Sequence, residues 1–289
     1  MQPANKKIVV IGAGQMGTGI AQVAAAAGCV VMLHDVSLEA ATAGKSKIEK
    51  VLNRLIEKEK ITSAAKDELL ALIHPTDDIA EVADADFAIE AATEKEDVKL
   101  AIFSQMDQHA GPNTILASNT SSISITKMAA VTSRPDKVAG VHFMNPVPLM
   151  SLVELVRTDQ TSDGTYTAVR ELAESFGKTV ITSKDRPGFL VNRVLIPFLN
   201  EACFCFAEGV GTAEDIDSGA KLGLNHPMGP LELADLIGLD SVLFIAQVLY
   251  RDFADEKYRP APLLEEYVSK GWLGRKSGRG FYDYQKGVK

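Results

Sequence analysis

Two sets of residues in the chain have the types and spacing to do chemistry. The first is Gly12-Ala13-Gly14-Gln15-Met16-Gly17, followed by an acid at Asp35. In a G-x-G-x-x-G turn the first glycine permits the tight bend. The second leaves the backbone open to a pyrophosphate, and the third lets helix and strand pack closely. The helix that follows offers free N–H groups and the positive end of its dipole to phosphates. Asp35 would accept hydrogen bonds from an adenosine ribose diol and repel a 2′-phosphate. His34 and Val36 flank it, so no arginine is offered to that phosphate. NAD(H) is expected over NADP(H). The competing reading is a glycine-rich turn in some other α/β protein.

The second set is built around His142, near the end of a probable strand in Val-His-Phe-Met-Asn-Pro-Val-Pro. Strand ends are where an open α/β sheet places its ligands. Glu154 lies inside the next strand, Ser151-Leu-Val-Glu-Leu-Val156, and a carboxylate among apolar residues needs a partner. A hairpin around Asn145–Leu149 would set it beside His142, orienting the imidazole and raising its basicity. Spacing alone leaves that pairing open. Ser118-Asn-Thr-Ser-Ser122 also follows a buried strand. Its polar groups could bond a substrate or cofactor, or Ser121 or Ser122 could simply cap a helix over 123–128. Asn192 is polar among apolar neighbours, and either serves the site or makes a buried interdomain hydrogen bond. His34, His74, His109 and His226 are expected to be structural.

The elements that must position these residues follow from hydrophobic pattern. From Ile8 to Leu33 no side chain is charged, a length that could span a bilayer. Glycines and polar residues interrupt the run, and it divides into strand, alanine-rich helix and strand. A buried parallel βαβ unit explains it without lipid. Helices are expected at Leu38–Lys60, Ser63–Ile73, 95–109 and 164–176. Strands are expected at Asp86–Ala91, Thr114–Ser118, Val138–Phe143, Leu152–Val156 and Thr179–Thr182. This alternation indicates an α/β doubly wound sheet. Beyond Lys184–Gly188 the pattern turns helical: Phe189–Glu208, then 213–221, 230–237, 240–251 and 262–270. A last strand is expected near Gly280–Tyr284. The domains are therefore read as 1–185 and 186–289, the second all-helical.

Composition narrows the function classes. The chain has 289 residues, 46% hydrophobic and 24% charged, which is ordinary for a globular protein. Its net charge of −8 disfavours nucleic acid and anionic membranes as partners. The opening MQPANKK lacks the features of a secretory signal. Cys29, Cys203 and Cys205 make no disulfide framework, which suggests a reducing, cytoplasmic setting. No metal site is expected. So apolar a helical domain is expected to bury surface in a homodimer.

GAGQMGTGIA, SNTSS, HFMNPVPLM-x3-E, PGFLVNR, HPMGPLEL-D-GLD and GRKSGRGFY, in this order, resemble the L-3-hydroxyacyl-CoA dehydrogenases, nearest the bacterial 3-hydroxybutyryl-CoA enzymes. The resemblance runs from residue 6 to about 284. It implies an N-terminal Rossmann-type domain, a helical dimerising domain and a substrate cleft between them. It also implies His142 as general acid/base and Glu154 as its orienting partner. Ser121 and Asn192 match positions that contact the substrate's 3-oxygen and the histidine. Glu94, Lys99, Asn119 and Asn145 match positions around the nicotinamide and the cleft. Met144 stands where the family often has phenylalanine, which leaves the pocket shape open.

The same resemblance places acyl-CoA contacts on a helical arm, about 38–73. There Lys47, Lys50, Arg54 and Lys58 share one helix face, which could equally be an ordinary solvated one. Sugar-acid dehydrogenases remain as alternatives. Those of the β-hydroxyacid type generally use a lysine in the second domain's first helix, which here offers Asn192 and Arg193, whereas relatives such as gulonate 3-dehydrogenase and lens crystallin are harder to exclude by motif. A non-catalytic NAD-binding protein is the reading from another class, and the intact polar set argues against it.

Overall fold

The computed structural model describes residues 6–285. Most of the MQPANKK opening, up to Asn5, therefore lies outside the described residues. An uncharged run of β-branched residues satisfies its backbone best in a sheet covered on both faces. β1 (Lys7–Ile11) and β2 (Val30–His34) pair in parallel on either side of α1 (Gln15–Ala26). Ile8, Val9 and Val10 are fully buried, and each such side chain stabilises the fold by about 1.5–3 kcal/mol relative to exposure. No single helix among the described residues is long and apolar enough to cross a membrane.

The sheet continues with β3 (Ile73–Thr76), β4 (Phe87–Glu90), β5 (Ile115–Ser118), β6 (Val138–Phe143), β7 (Leu152–Arg157) and β8 (Thr179–Lys184). Their order is β3-β2-β1-β4-β5-β6-β7-β8. Only the β6–β7 pairing is antiparallel. The chain winds one way from β1 to β3 and the other way from β4, so a crevice opens at the carboxyl ends of β1 and β4. Helices α2 (Leu38–Glu57), α3 (Ser63–Ala71), α4 (Glu96–His109), α5 (Ile125–Ala130) and α6 (Asp163–Ser175) complete this unit, which ends at Arg186.

Three expectations need correction here. The helix from Ser63 stops at Ala71, and Ile73 opens β3 instead. β3 tolerates Pro75 because it is an edge strand with β2 as its sole neighbour in the sheet. The helix after the serine loop starts at Ile125, not 123. Ser124 caps it, and the Asp185 carboxylate accepts from the Ile125 and Thr126 N–H groups and the Ser124 hydroxyl. Ser121 and Ser122 are therefore not its caps.

The second unit begins at Pro187 and is helical. It contains α7 (Val191–Ala207), α8 (Ala213–Ser218), α9 (Pro230–Ile237), α10 (Leu239–Phe253) and α11 (Pro262–Ser269). α7 starts two residues later than expected because Phe189 adopts a left-handed φ of 49°. That conformation cannot continue a right-handed helix. Leu199, Cys203, Leu231, Leu239, Leu249 and Leu264 anchor this unit's own core. The strand expected at Gly280–Tyr284 is absent, with only isolated bridges joining Arg279 to Gly274 and Asp283. The N–H groups of Phe281 and Tyr282 donate instead to the buried Asp235 carboxylate at 3.0 Å each.

Candidate active site

The glycine turn shows which of its glycines the fold itself requires. A Cβ on Gly12, whose φ is +106°, would lie 2.6 Å from the Ala91 carbonyl oxygen. One on Gly17 would lie 1.7 Å from that of Gly12. Both are forced by packing. A Cβ on Gly14 would meet nothing within 4 Å, so no neighbour in the chain accounts for that glycine. α1 starts there with no side-chain cap and no acid in its first turn. The first N–H groups of α1 and the positive end of its dipole therefore have no capping side chain. Asp35 is tied to the same turn: its carboxylate accepts from the Ala13 and Val36 N–H groups at 2.7 Å each. Open backbone at Gly14, an uncapped helix start and a fixed carboxylate fit the pyrophosphate and ribose of a dinucleotide.

At the ends of β4 and β5 lies a polar network that the sequence reading only half saw. Lys99 is buried and donates to both oxygens of the equally buried Glu90 at 2.7 Å. The Ser118 hydroxyl also donates to Glu90, at 2.6 Å. Lys99 is thus committed to an ion pair inside the fold, with Glu94 3.7 Å away as a second carboxylate. Glu94 in turn accepts from the Ser121 N–H and hydroxyl at 2.6 and 2.9 Å and from the Thr120 hydroxyl at 2.9 Å. Asn119 accepts from the Phe143 N–H at 2.9 Å, which fastens the serine loop to β6 next to His142.

β6 and β7 place His142 directly opposite Glu154. His142 Nδ1 lies 3.0 Å from Glu154 Oε2, and Glu154 has no solvent exposure. A bare carboxylate at that depth would be strongly destabilising, and the histidine is a partner that offsets this cost. The pair holds the ring with Nδ1 toward the acid. In the loop that joins the two strands, Asn145 Oδ1 accepts from Gln15 Nε2 at 3.0 Å. The β6–β7 hairpin is thereby linked to the glycine turn.

That loop also forms one wall of a cavity of about 540 Å³, whose opposite wall is α2. Lys47, Arg54 and Lys58 line it, and so does Lys60, which the sequence reading did not single out. Lys50 does not line it. Val51 and Leu55 face the cavity, and at about 100° per residue Lys50 falls on the far side of the basic stripe. Asn192 is buried in the first turn of α7, in the second unit. Of the other histidines, His34 lies in β2 with its pKa lowered by burial, and His226 packs on Phe198 with ring centroids 5.0 Å apart.

The family model described as "3-hydroxyacyl-CoA dehydrogenase, NAD binding domain" matches residues 7–186, and that for the C-terminal domain matches 188–284. The chain belongs to the 3-hydroxyacyl-CoA dehydrogenase family. It is 53% identical over 280 residues to a 3-hydroxybutyryl-CoA dehydrogenase of Bradyrhizobium diazoefficiens, covering 97% of this chain and 96% of the relative. A probable 3-hydroxybutyryl-CoA dehydrogenase of Deinococcus radiodurans is 54% identical, covering 96% of this chain and 100% of the relative. The crystal structure of (S)-3-hydroxybutyryl-CoA dehydrogenase from Ralstonia eutropha superposes with a TM-score of 0.94 at 52% identity, covering 97% of this chain and 99% of that one. As a 3-hydroxyacyl-CoA dehydrogenase the protein is an NAD-dependent oxidoreductase, and its glycine turn lies in the family's NAD-binding domain.

Proposed function

We propose that the protein interconverts a short-chain 3-hydroxyacyl-CoA, such as 3-hydroxybutyryl-CoA, with its 3-ketoacyl-CoA. The observation that carries this reading is the His142–Glu154 pair, set at 3.0 Å in the strands next to the serine loop. NAD⁺, held by the glycine turn and Asp35, would supply the hydride acceptor for C3. His142 Nε2 removes the 3-hydroxyl proton during oxidation and returns it in the reverse direction. Glu154 fixes the ring and offsets the positive charge that develops on it. Ser121, whose hydroxyl the structure directs to Glu94, would turn that donor to the substrate's 3-oxygen. Asn192 is assigned a second contact to the same oxygen.

Glu94, Asn119 and Asn145, with Gln15 and Met16 of the turn, are assigned to the nicotinamide end and the approach to it. Lys99 acts from below, by holding the ends of β4 and β5 through Glu90, next to the loops that carry Glu94 and Ser121. The cavity against α2 takes the coenzyme A phosphates, with Lys47, Arg54 and Lys58 as the cationic edge and Val51 and Leu55 as apolar surface. A homodimer through the helical unit is supported by the apolar side chains it leaves exposed, Leu222 at 88% and Leu224 at 62% among them. A cytoplasmic setting is supported by Cys29, Cys203 and Cys205, whose thiols form no disulfide among the described residues. The experiment that tests the activity is NADH oxidation with acetoacetyl-CoA, with a gulonate oxidation assay run beside it. Turnover with gulonate and none with acetoacetyl-CoA would move the assignment to the sugar-acid branch.

A further inference from the structure

Lys178 is a buried cation that the chemistry above does not use. It follows Gly177 at the end of α6 and immediately precedes β8, and it is 8% exposed. Its ammonium donates to the carbonyl oxygens of Val147 at 2.6 Å and Met150 at 2.8 Å. Among the described residues it has no carboxylate partner. Burial lowers its pKa, so the folded protein holds the charge there against a desolvation penalty. A methionine would fill the space without that penalty. The charge is explained by what it fastens.

Both acceptors lie in the 144–151 loop, whose two ends are the strands of His142 and Glu154. The loop is also held by a turn in which the Leu149 and Met150 N–H groups donate to the Pro146 carbonyl at 3.0 Å, and at its end by the Thr179 N–H donating to the Ser151 carbonyl at 2.7 Å. Its other contacts lie at the working parts of the site. Asn145 bonds Gln15 of the glycine turn. Val147 sits so close to α1 that a Cβ on Gly19 would be 2.8 Å from its own Cβ. Val147, Pro148 and Leu149 form the wall of the cavity that faces Arg54 and Lys58.

We infer that Lys178 is a positioning residue for acyl-CoA binding, its ammonium clamping the Val147–Met150 carbonyls so that the loop is pre-shaped as the wall of the α2 cavity. The inference rests on the acyl-CoA reading of that cavity. Without the clamp the binding-competent loop is only fractionally populated, and apparent affinity falls by that fraction. Loss of two hydrogen bonds from a charged donor is enough to raise KM for acetoacetyl-CoA about tenfold.

The test uses the full-length protein and K178M, with two readouts. Steady-state kinetics should show KM for acetoacetyl-CoA raised about tenfold while the Kd for NADH stays within about twofold. Hydrogen exchange should show faster exchange of amides 147 and 149–151 with residues 7–35 unchanged. Should K178M fail to fold, K178Q, which keeps the bulk and a shorter donor, is judged by the same pair of readouts. Wild-type KM or wild-type loop exchange in the folded variant would overturn the inference. So would a parallel loss of NADH affinity, acetoacetyl-CoA affinity and thermal stability, the pattern of a merely structural lysine. If the wild-type protein does not turn over acetoacetyl-CoA, the activity reading fails. The exchange readout then still decides whether Lys178 holds the loop.

Discussion

Gly14 and Gly17 differ by three positions in one motif, yet their side-chain hydrogens face opposite surroundings. A methyl group at Gly17 collides with the Gly12 carbonyl, whereas one at Gly14 projects into open space. G14A should therefore melt within a few degrees of wild type and bind NADH at least about tenfold more weakly, because its methyl occupies the phosphate's approach. G17A should lose stability, since its Cβ would lie 1.7 Å from the Gly12 carbonyl oxygen, which cannot give way without moving the turn. Thermal melts and NADH fluorescence titration separate the two. Residues of this kind were legible in the sequence because their spacing is their function. Glu154 was legible as a carboxylate in an apolar strand, though its pairing with His142 needed the β6–β7 register. Glu90 obeys the same rule, at the end of Phe-Ala-Ile-Glu, and could have been found by it. Its partners Lys99 and Ser118 come from a helix and another strand, and no local pattern joins them.

Among the elements, α2 carries the clearest division of labour. Ala41, Gly44, Ile48 and Leu52 form its buried face, and Gly44 lies against Ala13 of the glycine turn. Arg54 and Lys58 flank that face on the cavity side, with Lys50 turned away. R54E should raise KM for acetoacetyl-CoA severalfold and more at low than at high salt, because the lost contact is electrostatic. K50E should change it little, and neither should shift KM for NADH; equal effects of the two would remove the cavity from the CoA reading. The basic stripe was visible in the sequence, but helical periodicity could not say which edge faces a wall. That depended on where the 144–151 loop lies. β3 was missed for a related reason: Ile-His-Pro-Thr has no strand alternation of its own and is a strand because β2 offers a free edge. The final Phe-Tyr-Asp-Tyr failed the other way, its strand-like composition recruited by the Asp235 carboxylate.

At the scale of the whole molecule, hydrophobic patterning set the change from doubly wound sheet to helices, and the described residues divide into units after Arg186. The helical unit leaves Val194, Val210, Leu222 and Leu224 largely exposed, an apolar surface that a second copy would cover. Sedimentation should give twice the mass of one chain, and L222D/L224D should shift it toward the monomer; an unaltered dimer in that variant would place the interface elsewhere. We propose that this NAD-dependent dehydrogenase reduces a 3-ketoacyl thioester through the His142–Glu154 pair. The most direct test is the rate of NADH oxidation with acetoacetyl-CoA, wild type against H142Q, with NADH affinity measured on both. The expected result is ready turnover by wild type and a loss of about 10²–10⁴-fold in kcat for H142Q at unchanged NADH affinity. Near-normal kcat in H142Q would contradict it.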